Sequence, residues 1–343
     1  MWRFVRKPAR VPRRGAEIGA HLVPEAFGVD PVLRTACDAV REGDIEAGAS
    51  LLVESREDPE TRVLRVEALA RAATDLPGEI VGLLEAGADR ADTMLWLGHT
   101  LLARALVRPS GGTRADEKAA SAALHEAGEA LEAAARLRPD DAAPWAGLQT
   151  AAMGLGADRE EKDRIWREII ARAPHLFPAH TVRTRTLSAA RGGSAEEMFA
   201  FAGAAADTAP EGSPLPSVLA LAHAEHVRTE QKRLTAEGNL PSIVDMALGR
   251  LHGESVQELF ELARGWVAGA VAHPRDAQAH HLFGWAFHRA GMAQAAHWHL
   301  AAVGTVRCDM PWSFFGPAHT ELIRAMAELG VDPGRGAQGP AAV

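Results

Sequence analysis

Helix-stopping prolines recur in this chain at nearly constant intervals. Pro139, Pro174 and Pro210 stand 35 and 36 residues apart, and Pro274 repeats their context. Proline lacks the amide hydrogen that helix continuation needs, so each marks a helix end. Between the breaks, apolar residues recur at spacings of three and four, as in LRTACDAVREGDIEAGASLLVES and RIWREIIARA. That period is helical, and no long stretch alternates as a half-buried strand would. Alanine dominates the apolar residues and tyrosine is absent. Small side chains allow helices to approach closely, so the expected fold is all-α. The pattern predicts about sixteen helices joined by short turns.

The residues between the prolines keep the same phase. With Pro139 closing one helix pair, Ala127, Leu131 and Ala134 take the positions where paired helices touch or fill the gap to a neighbour. Trp145 and Leu148 then open the next pair. With Pro274 as the preceding break, Phe283, Gly284, Phe287, Ala296 and Leu300 fall on the matching positions, and Gly291 falls in the turn. Leu97-Gly98 opens an earlier pair in MLWLGHTLLARAL, with VRPSGGTRADEKAA as an insertion between its helices. The pairs near Pro174 and Pro210 are degenerate: Trp166 fits, but Lys162 and Met198 occupy a small-residue position.

On these residues, roughly 90 to 305 resemble tetratricopeptide repeats, whose period is about 34 residues. The resemblance implies a right-handed α-α superhelix of helix pairs, with the first helix of each pair lining a concave groove. Residues 30 to 90 are compatible helix pairs without the signature. A second resemblance lies in GSPLPSVLALAHAEHVR and AHHLFGWAFHRAGMAQAAHWHLAAVGTVRCDMPWSFF. These segments look like a family of uncharacterised actinobacterial proteins carrying a domain of unknown function. Its Glu-His pair corresponds to Glu225-His226 and its Pro-Trp to Pro311-Trp312. That family implies no activity.

Carried onto this chain, the groove positions of the repeat are Gln278, His281, Trp285 and His288, with Arg289 adjacent. His281 and His288 are seven residues apart and share a helix face. The same register brings His99, His223 and His226 toward the groove. Three readings of these residues compete. Histidine can be a semi-polar filler of helix faces. The face can bind a protein or peptide segment, with Trp285 as a flat anchor and Arg289 as a donor. Or His223 and His226, with Glu230 one turn on, can offer ligands to a metal ion, although no HExxH or CxxC supports this. A histidine face also titrates near pH 6.5 and could make binding pH-sensitive.

The expected function is an interaction scaffold without a catalytic centre or cofactor, its partner a protein or peptide. The competing expectation is a metal-binding or small-molecule-binding enzyme or sensor that uses the histidines. No GxGxxG after a strand, no GxxxxGK[ST] and no GxSxG is present. A formal charge of −8 argues against nucleic acid as partner, because that needs a basic face.

The ends read differently from the middle. Residues 1–16 carry six basic residues, with Trp2 and Phe4 among them. Residues 1–29 are expected to form a basic arm, 30–330 the solenoid, and 331–343 a disordered tail. The arm has no apolar core of a secretory signal, and no apolar run reaches membrane-spanning length. Only Cys37 and Cys308 are present, too few for a disulfide framework. The expected location is the cytoplasm, and the composition resembles that of a high-GC bacterium. DMPWSFFGPAHTELIRAMAEL reads as a capping helix entered through an aromatic knot of Trp312, Phe314 and Phe315, which could instead close a pocket with Trp266 and Trp285.

Overall fold

The computed structural model of the chain describes residues 13–24, 30–106, 114–239, 251 and 253–334. The chain divides into two compact units. One comprises Ala26–Val218 and Val271–Arg275, the other Met1–Glu25, Leu219–Ala270 and Asp276–Val343. The single span expected for 30–330 is thus divided. The described residues are helical apart from short connections and one pair of two-residue strands. None of their helices is long and apolar enough to cross a membrane.

Helix α1 (Arg13–His21) belongs to the second unit. The first unit runs through α2 (Pro31–Arg41), α3 (Ile45–Glu54), α4 (Pro59–Ala72), α5 (Pro77–Gly82) and α6 (Arg90–Leu106). It continues with α7 (Arg114–Leu137), α8 (Ala143–Leu155), α9 (Arg159–Arg172), α10 (Phe177–Thr186) and α11 (Ala195–Asp207). Local chemistry sets these boundaries. The carboxylates of Asp30, Asp44, Asp58 and Asp158 accept hydrogen bonds from amides in the first turns of α2, α3, α4 and α9. Those amides have no helical partner, so each cap stabilises its helix by about 1 kcal/mol. α7, α9 and α11 end just before Pro139, Pro174 and Pro210, as the proline spacing predicts.

Consecutive helices pair where small residues allow it. A Cβ on Gly98 would stand 2.6 Å from Leu131 Cγ, so α6 and α7 meet at a distance only glycine permits. Gly147 of α8 lies under the same leucine, at 2.9 Å from Cδ1. Ala127, Leu131 and Ala134 are all buried in this seam, as expected. The apolar core is joined by an ion network that hydrophobic patterning does not reveal. Arg62, with 1% of its side chain exposed, pairs with Asp92 at 2.6 Å and Asp141 at 2.7 Å, and donates to the Leu52 carbonyl. Arg56 and Arg138 reach the same Asp92 and also Asp89. Burial raises the Asp92 carboxyl, but hydrogen bonds from Arg62 and Arg56 and the charges of Arg62 and Arg138 outweigh it and hold the group below the usual carboxylate range.

The second unit contains α12 (Val218–Ala236), α13 (Glu254–Gly269), α14 (Asp276–Ala290), α15 (Ala293–Ala302) and α16 (Ala318–Leu329). α13 ends ahead of Pro274. Here α14 and α15 repeat the close pairing: a Cβ on Gly284 would meet Leu300 Cδ2 at 2.6 Å. Phe283, Phe287, Ala296 and Leu300 are fully buried. Strand β1 (Val23–Pro24) pairs in parallel with β2 (Val306–Arg307), Val23 opposite Val306, and α1 packs on α16. Part of the expected arm is therefore a built element, because β1 gives its backbone a partner. Residues 1–12 and 25–29 lie outside the described residues, as do Trp2 and Phe4. The expected tail begins ordered: Val331 is buried and its amide donates to the Met326 carbonyl at 2.8 Å. Residues 335–343 lie outside the described residues.

Candidate functional site

The sequence-predicted site residues are mostly interior. Gln278, His281 and Trp285 of α14 are buried, Trp285 with 2% of its surface exposed. The indole of Trp285 stacks on Phe315, 5.3 Å between centroids and 9° from parallel, so that face is filled from within the unit. His281 is fixed from both sides. The Trp312 indole donates to its Nδ1 at 3.1 Å, so Nε2 carries the proton and donates to the Val306 carbonyl at 2.8 Å. In this tautomer Nε2 has no lone pair for the Cys308 amide, 3.3 Å away. Burial pushes His281 down to about 4. His281 thus holds β2 and Trp312 against α14 as a neutral strut, and a buried neutral ring is not a groove donor. Trp312 and Phe315 of the aromatic knot cover α14. Trp266 lies on another aromatic contact, 4.7 Å from His280.

His288 is more accessible and meets Glu328 of α16 at 2.9 Å. Arg289 is half-buried, and burial lowers its guanidinium. On α12, burial and then the charge of His226 push His223 down to about 4. Glu225 between them is buried, with Arg228 at 3.1 Å. Their angle is poor for a hydrogen bond, but an ion pair depends on distance. Among the described residues no three His, Cys, Asp or Glu side chains converge as a metal set. His99 belongs to the first unit, where it is buried with Nε2 3.3 Å from the Ala143 carbonyl. Burial lowers it despite the Glu67 charge. Two histidines outside the expected set touch directly: His280 and His299 share one proton between Nδ1 atoms 2.9 Å apart. Around them stand Trp266, Phe283, Phe287 and Trp298.

A more accessible site lies in the first unit, where helix ends gather. A cleft of about 370 Å³ is lined by Pro59, Glu60, Pro174, Leu176, Pro210 and Val271, together with adjoining residues of their turns. Its volume is within the ~300–1,000 Å³ range of ligand sites. Asp58 caps α4 and Pro59 opens it, so Glu60 stands in the first turn. Its Oε1 accepts from the Phe177 amide at 2.6 Å. α10 has no side-chain cap of its own, because Leu176 precedes it. Glu60 therefore caps α10 from α4, which fixes the carboxylate at the cleft.

The segment Val271–Arg275 forms another wall. The Val271 amide donates to the Gly212 carbonyl at 3.1 Å, and Arg275 pairs with Glu67 at 2.9 Å. The Arg275 amide donates to His273 Nδ1 at 3.1 Å, so the neutral ring carries its proton on Nε2, 3.5 Å from Glu60 Oε1. The remaining oxygen, Glu60 Oε2, is buried with no hydrogen-bond partner among the described residues. Buried carboxylate oxygens are rarely left so, because each such group costs ~1–3 kcal/mol or more. Val271, at 63% exposed, gives the rim an apolar edge. The site can therefore accept an apolar group beside a hydrogen-bond donor or cation, which meets the buried Glu60 Oε2 only when the side chain shifts. Its signal in the sequence was partial: Pro174 and Pro210 were legible as helix ends, but nothing local to Glu60 shows that its carboxylate turns toward Phe177.

Comparison with protein-family models, with curated proteins and with solved structures finds no match to this chain.

Proposed function

We propose that the chain is an interaction scaffold, a helical-repeat protein that captures a segment of a protein partner. The observation that carries this reading is the unpartnered Glu60 Oε2 in an apolar cleft bounded by helix-ending prolines. A segment with an aliphatic or aromatic side chain beside Lys or Arg supplies both things the cleft lacks: apolar surface over Val271 and Pro174, and a cation for Glu60. The paired helices on either side give such a cleft rigid walls. Gly98 under Leu131 is the tight seam expected of stacked repeat pairs, and in this reading the pairs continue as a right-handed superhelix. The function is binding, with no bond made or broken. The recognition surface differs from the histidine face read in the sequence, since His281 and Trp285 are committed to interior contacts.

Peptide display against the purified full chain tests the reading. The expected selection is for an apolar residue followed by Lys or Arg, and it is lost on Glu60→Gln. Glutamine keeps the oxygen that accepts from Phe177 but removes the charge and the second acceptor. Selection of acidic peptides, or the same peptides on both proteins, would contradict it.

A further inference from the structure

A second cleft of the first unit, of about 560 Å³, has the opposite chemistry and shares no lining residue with the Glu60 cleft. It lies between the end of α8, the first turns of α9, the end of α10 and the turn 190–193. Four cations line it, Arg159, Lys162, Arg183 and Arg191, against one lining carboxylate, Asp158. With Asp163 and Glu197, which pair with Arg159 and Arg183 from beside the cleft, three carboxylates stand against the four cations, a small positive excess in a chain whose formal charge is −8.

The cations are held in place by different partners. Asp163 pairs with both Arg159 and Arg183, and Glu197 also pairs with Arg159. Among the described residues no carboxylate lies within ion-pair distance of Lys162; its Nζ donates to the Arg191 carbonyl at 3.2 Å. Burial, and then the charges of Arg191, Arg159 and Arg183, hold the Lys162 ammonium below the usual lysine range. The Arg183 side chain is 8% exposed, and its Nε is buried with no hydrogen-bond partner among the described residues. The first turn of α9, a helix of 14 residues, adds the positive end of its dipole, partly offset by Asp158 at the cap and by Glu160 and Glu161. The cleft thus offers an ammonium with no ion-paired carboxylate among the described residues and crowded like charges that an anion would relieve, with the unpaired Arg183 Nε buried behind them.

We propose that this cleft binds a phosphomonoester dianion between Lys162, Arg183 and Arg191. A carboxylate has two acceptor oxygens in one plane and is satisfied by one guanidinium fork. A phosphoryl group presents three terminal oxygens at tetrahedral angles, and here donors come from three separate elements. Its charge of about −1.5 to −2 at neutral pH matches a site where several cations converge. The phosphoryl group could belong to a small metabolite or to a phosphorylated side chain of a partner. This assignment does not rest on the Glu60 reading.

Calorimetric titration of the full chain tests it with inorganic phosphate, a phosphoserine peptide, the unphosphorylated peptide and its glutamate counterpart. The expected result is binding of phosphate, the phosphopeptide or both, weakened about tenfold or more by Lys162→Gln, the size of one lost charge-assisted hydrogen bond. Binding of free phosphate points to a small-molecule source, and binding of the phosphopeptide alone points to a protein source. Arg191→Gln carries the same expectation if Lys162→Gln unfolds, as judged by circular dichroism. Absence of binding by either probe, affinity unchanged in folded variants, or equal affinity for the glutamate peptide would overturn the proposal.

Discussion

Gly98 of α6 lies directly beneath Leu131 of α7, so close that a methyl on the glycine would stand 2.6 Å from the leucine Cγ. Gly284 and Leu300 have the same relation in the other unit. Paired helices here are set by one missing side chain opposite one large one. Gly98→Ala is expected to destabilise by about 1–3 kcal/mol, as an overpacked core site does. Urea unfolding measures it. Leu131→Ala in the same chain relieves the clash but opens a cavity, so the double variant should cost less than the sum of the two singles. Strict additivity would contradict this geometry.

Arg62 tests the buried ion network. Removing it by Arg62→Met leaves Asp92 and Asp141 without their innermost partner. Breaking a buried pair from one side costs about 3–5 kcal/mol. The same change at Arg136, an exposed i,i+4 pair with Glu132 at 3.5 Å, should cost under about 0.5 kcal/mol. Similar losses at both positions would show that the network is not buried as described.

Acid should weaken the second unit over a defined window. Burial pushes His223, His280 and His281 each down to about 4, against the ordinary 6.5. Unfolded, these rings take up protons near 6.5; folded, they resist until about 4. The unfolded state therefore binds more protons in that interval, and stability rises with pH across it. The histidine contribution is fully present above pH 6.5 and is lost as pH falls toward 4, up to roughly 3 kcal/mol for each ring. The urea midpoint should be flat above pH 7 and fall steadily below 6.5. A midpoint unchanged from pH 7 to 4.5 would contradict the neutral, buried state of these rings.

Trp312 and His281 give a smaller, local test. Trp312→Phe keeps the ring but deletes the indole N–H that donates to Nδ1. The expected cost is about 1–3 kcal/mol, because a buried acceptor loses its donor. His281→Phe removes the acceptor as well as the donor to Val306, and should cost more. An unchanged unfolding midpoint in Trp312→Phe would show that the bond does not fix the tautomer.

The parts legible in the sequence were those that act locally or on one neighbour. Pro139, Pro174 and Pro210 end helices whatever surrounds them, and Gly98, Ala127 and Leu131 kept their seam because helix pairing depends on size at fixed positions. The site did not yield to the same reading. The repeat resemblance assigned His281 and Trp285 to a groove. Here the returning chain at Val306, Trp312 and Phe315 covers them, and no helical period reports that cover. Residues 13–24 read as arm because their partners, β2 and α16, lie at the far end of the sequence, Val306 being 283 residues beyond Val23. Glu60 was invisible for a related reason: its capping partner Phe177 is 117 residues away.

The cleft at Glu60 is proposed to receive a cationic, apolar-flanked segment of a partner. Calorimetric titration of one such selected peptide into the full chain and into Glu60→Gln tests it most directly. Measurable binding to the wild type is expected, with a loss of about tenfold or more in the variant, whose fold is checked by circular dichroism. Equal affinity for both proteins would contradict it.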